Sequence, residues 1–339
     1  MWRIDFDLES EEEEEEEEEK EEKEEGESNF EFADFFCGIG GFSAGAQQAG
    51  AVPVLGIDRD PTVLRVWAAN NPRAVALCDD VFETNIPWPP NLNVHIHMSP
   101  PCTALSKVRP NTPLNERLMG LLEMRWCINE IIRRGYHSYS IENVSTALTR
   151  ALCKEFKVKY PMRLDYSIFN SNTFGSPSDR QRLIVSSPSI IKRLKEFPVH
   201  RTSVQAAFQK AKMHLPADYI KGHCRKRTGE PCIRPCSQTA PTLVASHPLV
   251  WCTREGVTIR CLSPLESKLL LGVPMSWEIP NGQRNGIKAV GNALSPGLAE
   301  CIMAASVATF RERGRRGGAT DSLAPYRVRG ASVSVCKRE

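Results

Sequence analysis

From Asn29 the chain reads NFEFADFFCGIGGFSAGAQQAGA: an apolar run, a turn holding Gly38, Gly40 and Gly41, then a helix-forming stretch closed by Gly50. Few folds accommodate that order. A strand that breaks at glycines and runs straight into a helix leaves backbone amides and a helix N-terminus uncovered by side chains, which suits a phosphate or nucleoside ligand. VPVLGID follows as a second strand ending at Asp58, 24 residues after Asp34, a spacing at which an acid reaches a ribose hydroxyl. A tight strand-to-helix turn that binds nothing leaves the same pattern.

The alternation continues. PTVLRVWAANN opens with Pro61 as a helix should, NVHIHMS, HSYSIENV and QRLIVSS read as further strands, and NERLMGLLEMRWCINEIIRR is a long helix between the first two of these. Strands separated by helices imply an α/β fold, a parallel sheet with helices on both faces and ligand chemistry at the carboxyl ends of the strands.

Charge divides the 339 residues differently. The total is +2, but residues 1–29 hold 17 acidic and three basic residues, a net of −14, which leaves +16 on the rest. Residues 9–27 are nearly pure Glu and cannot bury enough apolar surface to offset their ordering entropy. The stretch from Arg311 is a Gly and Arg mixture and reads as a second disordered tail. Between them, 188–240 reads as a small basic subdomain inserted in the α/β domain (30–187 and 241–310), because residues 188–235 carry a net +8. A basic body points to a polyanionic partner. No window approaches the ~20 apolar residues of a membrane span, so no membrane partner is expected. Twelve Cys are too few for a disulfide scaffold.

Four more segments carry candidate chemistry. In HMSPPCTALS two prolines stiffen the backbone before Cys102, a candidate nucleophile at a strand's carboxyl end. In SIENV, Glu142 is either a helix cap or a catalytic acid in the same crevice. FGSPSDRQRLIV alternates Arg180 and Arg182 on one strand face, and IKAVGNALSPGLAE places Gly291 and Asn292 before a helix starting near Ser295. His223, Cys224, Cys232 and Cys236 could hold zinc, but the spacing is not a CxxC pair, so they are read as free thiols and no metal is expected.

The set DFFCGIGG, PPCTALS, IENV, SDRQRL and AVGNALSP, in this order across 30–310, resembles the DNA (cytosine-5-)-methyltransferase family. The resemblance implies a Rossmann-like S-adenosylmethionine-dependent methyltransferase sheet with a small basic target-recognition subdomain. It implies S-adenosylmethionine as cofactor, held by Phe36, Gly38, Ile39, Gly40, Gly41 and Pro100, with Asp58 on its ribose, Asp80 and Val81 near its adenine, and Asn292 and Leu294 in the closing motif. Cys102, Glu142, Arg180 and Arg182 match the family's catalytic residues; Pro101, Ser106, Asn143 and Val144 match positions around the substrate base. Thr103 to Glu116, with Lys107 and Arg109, would be a loop that closes on the flipped nucleotide. DNA is the implied partner and tRNA the alternative, since one subgroup acts on RNA; a catalytically silent, nucleic-acid-binding homologue is a third reading.

Three departures stand out. Thr103 follows the nucleophile where Gln is common, Ser178 stands where the arginine motif usually has Gln, and few residues separate Arg182 from Pro241 to read bases. Low sequence specificity, a very short site such as CG, or dependence on a protein partner is the expectation. The Glu run and the Arg-Gly tail suggest a nuclear location, with the cytoplasm or a viral factory as alternatives.

Overall fold

A computed structural model describes residues 30–82, 86–106, 111–225 and 230–316. Its first sheet contains β1 (Glu31–Phe35), β2 (Val52–Ile57), β3 (Val75–Leu77), β4 (His95–Met98), β5 (Tyr139–Asn143), β6 (Asp165–Asn170) and β7 (Gln181–Ser186), in the order β3-β2-β1-β4-β5-β7-β6. The five strands from β3 to β5 are parallel, as the alternation implies. β7 is not: it runs antiparallel to both β5 and β6, which corrects the all-parallel expectation. The cause is local. β6 ends at Asn170 and β7 begins at Gln181, and the ten residues between them, which include the short helical turn Ser171–Thr173, are too few for a parallel crossover, so the chain returns antiparallel.

Apolar residues alternate along the strands and split the core between the two sheet faces. Phe35, Ile57, Ile96 and Ile141 pack against α3 (Leu114–Arg134) and α4 (Ala147–Lys159) through Met124, Ile128, Leu152 and Phe156. Phe32 and Ile184, on the opposite face, meet α1 (Gly41–Gln48), α5 (Pro188–Glu196) and α9 (Pro296–Arg316) through Phe42, Ile191 and Ile302. Each fully buried side chain of this size contributes about 1.5–3 kcal/mol. α2 (Pro61–Asn70) starts where Asp60 accepts a hydrogen bond from the Thr62 amide, and its Trp67 is fully buried beside the Gly-rich turn. α4 begins with a reciprocal Thr146–Thr149 capping box, so Glu142 is not needed as its cap.

The second sheet does not follow the sequence boundaries 188 and 240. α5 belongs to the main domain, since Ile190, Ile191 and Leu194 are buried with Leu298 and Ile302. After α6 (Val204–Lys210) comes a second, antiparallel sheet of β8 (Tyr219–Arg225), β9 (Pro231–Pro235), β10 (Val250–Cys252) and β11 (Thr258–Cys261), ordered β11-β10-β8-β9. It draws strands from both sides of residue 240. Its core, around Trp251 and Ile220, is continuous with α7 (Pro264–Leu271) and α8 (Gln283–Asn292). α9 continues to Arg316, past the expected tail boundary at Arg311.

The stretch Gln283–Arg313 is long and apolar enough to cross a membrane, yet 56% of its apolar window is buried within the fold. It is α8 and α9, interrupted at Ala293–Ser295.

Candidate active site

The carboxyl ends of β1, β2, β4 and β5 open into a cavity of about 350 Å³. Of the sequence-derived residues, Phe36, Gly38, Ile39, Gly41, Asp58, Pro100, Pro101, Cys102, Glu142, Asn292 and Leu294 line it.

One end is a cradle. Phe36 has a left-handed backbone (φ 60°), a conformation that costs a non-glycine residue about 1–2 kcal/mol, and its carbonyl accepts a hydrogen bond from Ser99 Oγ at 3.0 Å. The Gly38 amide donates to Asp58 Oδ2 and the Asp60 amide to Oδ1, both at 2.9 Å. A Cβ on Gly38 would meet nothing within 4 Å, so this backbone faces open space. A Cβ on Gly41 would stand 2.3 Å from the Leu294 carbonyl oxygen; only glycine lets the closing segment 293–294 approach α1. Gly40 packs against Trp67 and Trp277 and does not line the cavity. Burial raises the pKa of Asp58 and pushes that of Asp34, on the floor, up to about 7.

At the other end Cys102 opens the short helical turn Thr103–Leu105, and Glu142, at the end of β5, is 6% exposed. Arg182 on β7 places Nε 2.5 Å from Glu142 Oε1, off the line of its N–H, while Nη1 donates to the Gln181 carbonyl at 2.8 Å. Burial raises the pKa of the Cys102 thiol; the Arg182 charge lowers it, Glu142 raises it and Arg180 lowers it in turn. Thiol, carboxylate and guanidinium thus form one electrostatic unit at the cavity end.

Several of the candidate residues stand outside the cavity lining. Arg180 is buried with its guanidinium donating to the backbone carbonyls of Leu243 (2.9 Å) and Gly291 (3.0 Å), so it ties the segment before β7 to the segment after 240 and to α8. Asn143 donates to the Pro100 carbonyl at 3.2 Å and accepts from the Val144 amide, which fixes the Pro100 loop and leaves Asn143 and Val144 out of the lining. Asp80 pairs with Arg59 at 3.2 Å, and Val81 is buried in the core; neither lines the cavity, nor does Ser106. Ser178, fully buried, bridges to Ala240 in the same seam as Arg180. Lys107 and Arg109 lie outside the described residues, as do the side chains of His223 and Cys224. Cys236 donates to the Ala217 carbonyl, and no cluster of three or more metal-ligand side chains exists among the described residues.

The cavity also recruits residues the sequence reading missed. Asn285, Lys288 and Ala289 line it together with Asn292. Their spacing of three, four and seven residues marks one helix face, a signal present in the sequence.

The model of the C-5 cytosine-specific DNA methylase family matches residues 30–215. The chain belongs to that family. It is a cytosine-5 methyltransferase and uses S-adenosylmethionine as methyl donor. No curated protein matches it. Among solved structures, a candidate DNA modification methyltransferase encoded within an E. coli prophage is similar with a TM-score of 0.56 at 16% identity, covering 84% of this chain and all of that one. S. pombe Dnmt2 methyltransferase is similar at 0.53 and 12% identity, covering 84% and 100%. Entamoeba histolytica methyltransferase EhMeth follows at 0.52 and 12% identity, covering 84% and 98%. At these identities the likeness is one of fold.

The residues of this methylase fit its cofactor: open space at Gly38, the Asp58 carboxylate beside it, and a buried Asp34 Oδ1 with no hydrogen-bond partner. The Arg180 clamp can be tested apart from catalysis. Arg180→Met leaves the Leu243 and Gly291 carbonyls without these donors, and urea unfolding should show about 2–5 kcal/mol lost stability. An unchanged unfolding midpoint with lost activity would return Arg180 to the base.

Proposed function

We propose that this methyltransferase acts on cytosine in DNA, through a covalent bond between Cys102 and carbon 6 of a base flipped out of the duplex. The observation that carries the reading is that Cys102 and Glu142 line the same cavity as the Gly38–Asp58 cradle, with Arg182 paired to Glu142.

Carbon 5 of cytosine is a poor nucleophile, and addition of the Cys102 thiolate to carbon 6 makes it an enamine carbon. Glu142 hydrogen-bonds ring nitrogen 3 and the exocyclic amine, drawing electron density from the ring as the sulfur adds. Arg182 holds Glu142 in place and offers its guanidinium to the base carbonyl. S-adenosylmethionine supplies the methyl group when bound in the cradle. Loss of the carbon 5 proton to solvent then re-forms the carbon 5–carbon 6 double bond as the carbon 6–sulfur bond breaks, and Cys102 leaves as the thiolate. Carbon 5 is out of reach inside a duplex, so the base must leave the stack.

The basic charge within 188–235 supports a nucleic-acid partner, and the short interval before residue 241 supports low sequence specificity or a protein partner. We assign the protein to the nucleus on its charged termini. Tritiated S-adenosylmethionine offered with DNA and with tRNA in parallel tests the substrate: label should enter DNA, and label in tRNA alone would overturn the DNA reading.

The −14 segment 1–29 is a candidate nucleic-acid mimic that competes for the basic surface. Deleting it should tighten DNA binding at low salt, with the gain shrinking as salt screens the charges. Equal affinities of full-length and truncated protein in a salt titration would make it a solubilising leader.

A further inference from the structure

The cavity floor holds a polar chain that the reaction above does not use. Asp34, His97 and Ser140 stand opposite one another in register on β1, β4 and β5, so the pleat puts all three on one sheet face. His97 Nδ1 lies 2.8 Å from Ser140 Oγ, Ser140 Oγ lies 2.9 Å from His95 Nε2, and His95 Nδ1 lies 2.8 Å from Ser138 Oγ. Phe42 from α1 stacks on the His97 ring at 3.8 Å. Burial lowers the pKa of both imidazoles, that of His95 to about 3, so each is neutral with one N–H.

A hydroxyl between two neutral imidazoles donates to one and accepts from the other. The chain therefore has two orientations. If Ser138 donates to His95, His95 to Ser140 and Ser140 to His97, then His97 Nε2 carries the hydrogen and is a donor. Reversed, Nε2 is a bare acceptor. Either way it has no partner among the described residues, and neither has Asp34 Oδ1, whose Oδ2 accepts from Ser43 at 2.6 Å. An unsatisfied buried polar atom costs about 1–3 kcal/mol, and both residues line the cavity. Two adjacent orphans, one an acceptor and one of adjustable sense, match a guest that has both an ammonium and a carboxylate.

We propose that His97 and Asp34 form a polar subsite for the amino-acid end of S-adenosylmethionine, with Asp34 accepting from the ammonium and His97 Nε2–H donating to the carboxylate. This rests on the cavity being the cofactor site. Ser140 and His95 are positioning residues: they act by fixing which nitrogen of His97 carries the hydrogen.

Calorimetry with two ligands separates the possibilities. S-adenosylhomocysteine keeps the amino-acid end and 5′-methylthioadenosine lacks it. His97→Leu in the full-length chain should weaken S-adenosylhomocysteine about tenfold, the loss of about one hydrogen bond to a charged group, and leave methylthioadenosine within about twofold. Ser140→Ala, which keeps His97 and removes little volume, should weaken S-adenosylhomocysteine alone by about threefold, and it decides the matter if His97→Leu does not fold. Equal losses for both ligands, or no loss for either, would overturn the subsite while wild-type binding keeps the cofactor site. Wild-type protein that binds neither ligand would overturn both.

Discussion

Replacing Cys102 by alanine is expected to abolish methyl transfer, by about 10⁴-fold or more, while leaving S-adenosylhomocysteine affinity nearly unchanged. The asymmetry follows from where the residue sits. Cys102 lies at the end of the cavity shared with Glu142, whereas the cradle is built from the β1–α1 turn, Asp58 and the segment 292–294. The sharper readout is covalent. A duplex containing 5-fluorocytosine has no proton at carbon 5 to lose, so the adduct persists after methyl transfer and survives denaturing electrophoresis. Wild-type protein with S-adenosylmethionine should give the shifted band and Cys102→Ala should give none. A band of equal intensity in the variant would move the nucleophile elsewhere.

Glu142→Gln is expected to split two properties of the site that usually move together. Turnover should fall about 10²- to 10⁴-fold, because the amide keeps the shape of the carboxylate and loses its proton chemistry. Thiol reactivity should rise. Burial is the main cause that raises the Cys102 pKa, and Glu142 is the charge that adds to it; Arg182 and Arg180 oppose it. Removing the carboxylate charge leaves two guanidiniums acting on the thiol, its pKa falls, and more thiolate exists at neutral pH. Iodoacetamide labelling of Cys102 near pH 7.5 should therefore be faster in the variant. Slower labelling, or unchanged turnover, would contradict the electrostatic unit.

That Cys102 and Glu142 share one cavity was legible in the sequence because the signals are local. Cys102 follows β4 and Glu142 stands near the end of β5, strands whose runs can be read directly, and strand ends on a parallel sheet converge. What escaped depends on contacts distant in sequence. Arg180 and Arg182 look equivalent two positions apart, yet Arg180 reaches carbonyls 63 and 111 residues away while Arg182 turns to Glu142. β6 escaped because DYSIFN is an edge strand, mostly half-buried and lacking a clean apolar run. The second sheet escaped because its strands lie on both sides of residue 240, joined through β8–β10 pairing. The α8 face bearing Asn285 and Lys288 could have been found from its helical spacing.

The most direct measurement is a methylation map. The full-length chain, expressed in a host whose DNA carries no 5-methylcytosine, should leave 5-methylcytosine in a short sequence context, and Cys102→Ala should leave none. Unmethylated DNA from cells whose purified protein binds S-adenosylhomocysteine would contradict DNA as the substrate of this cysteine.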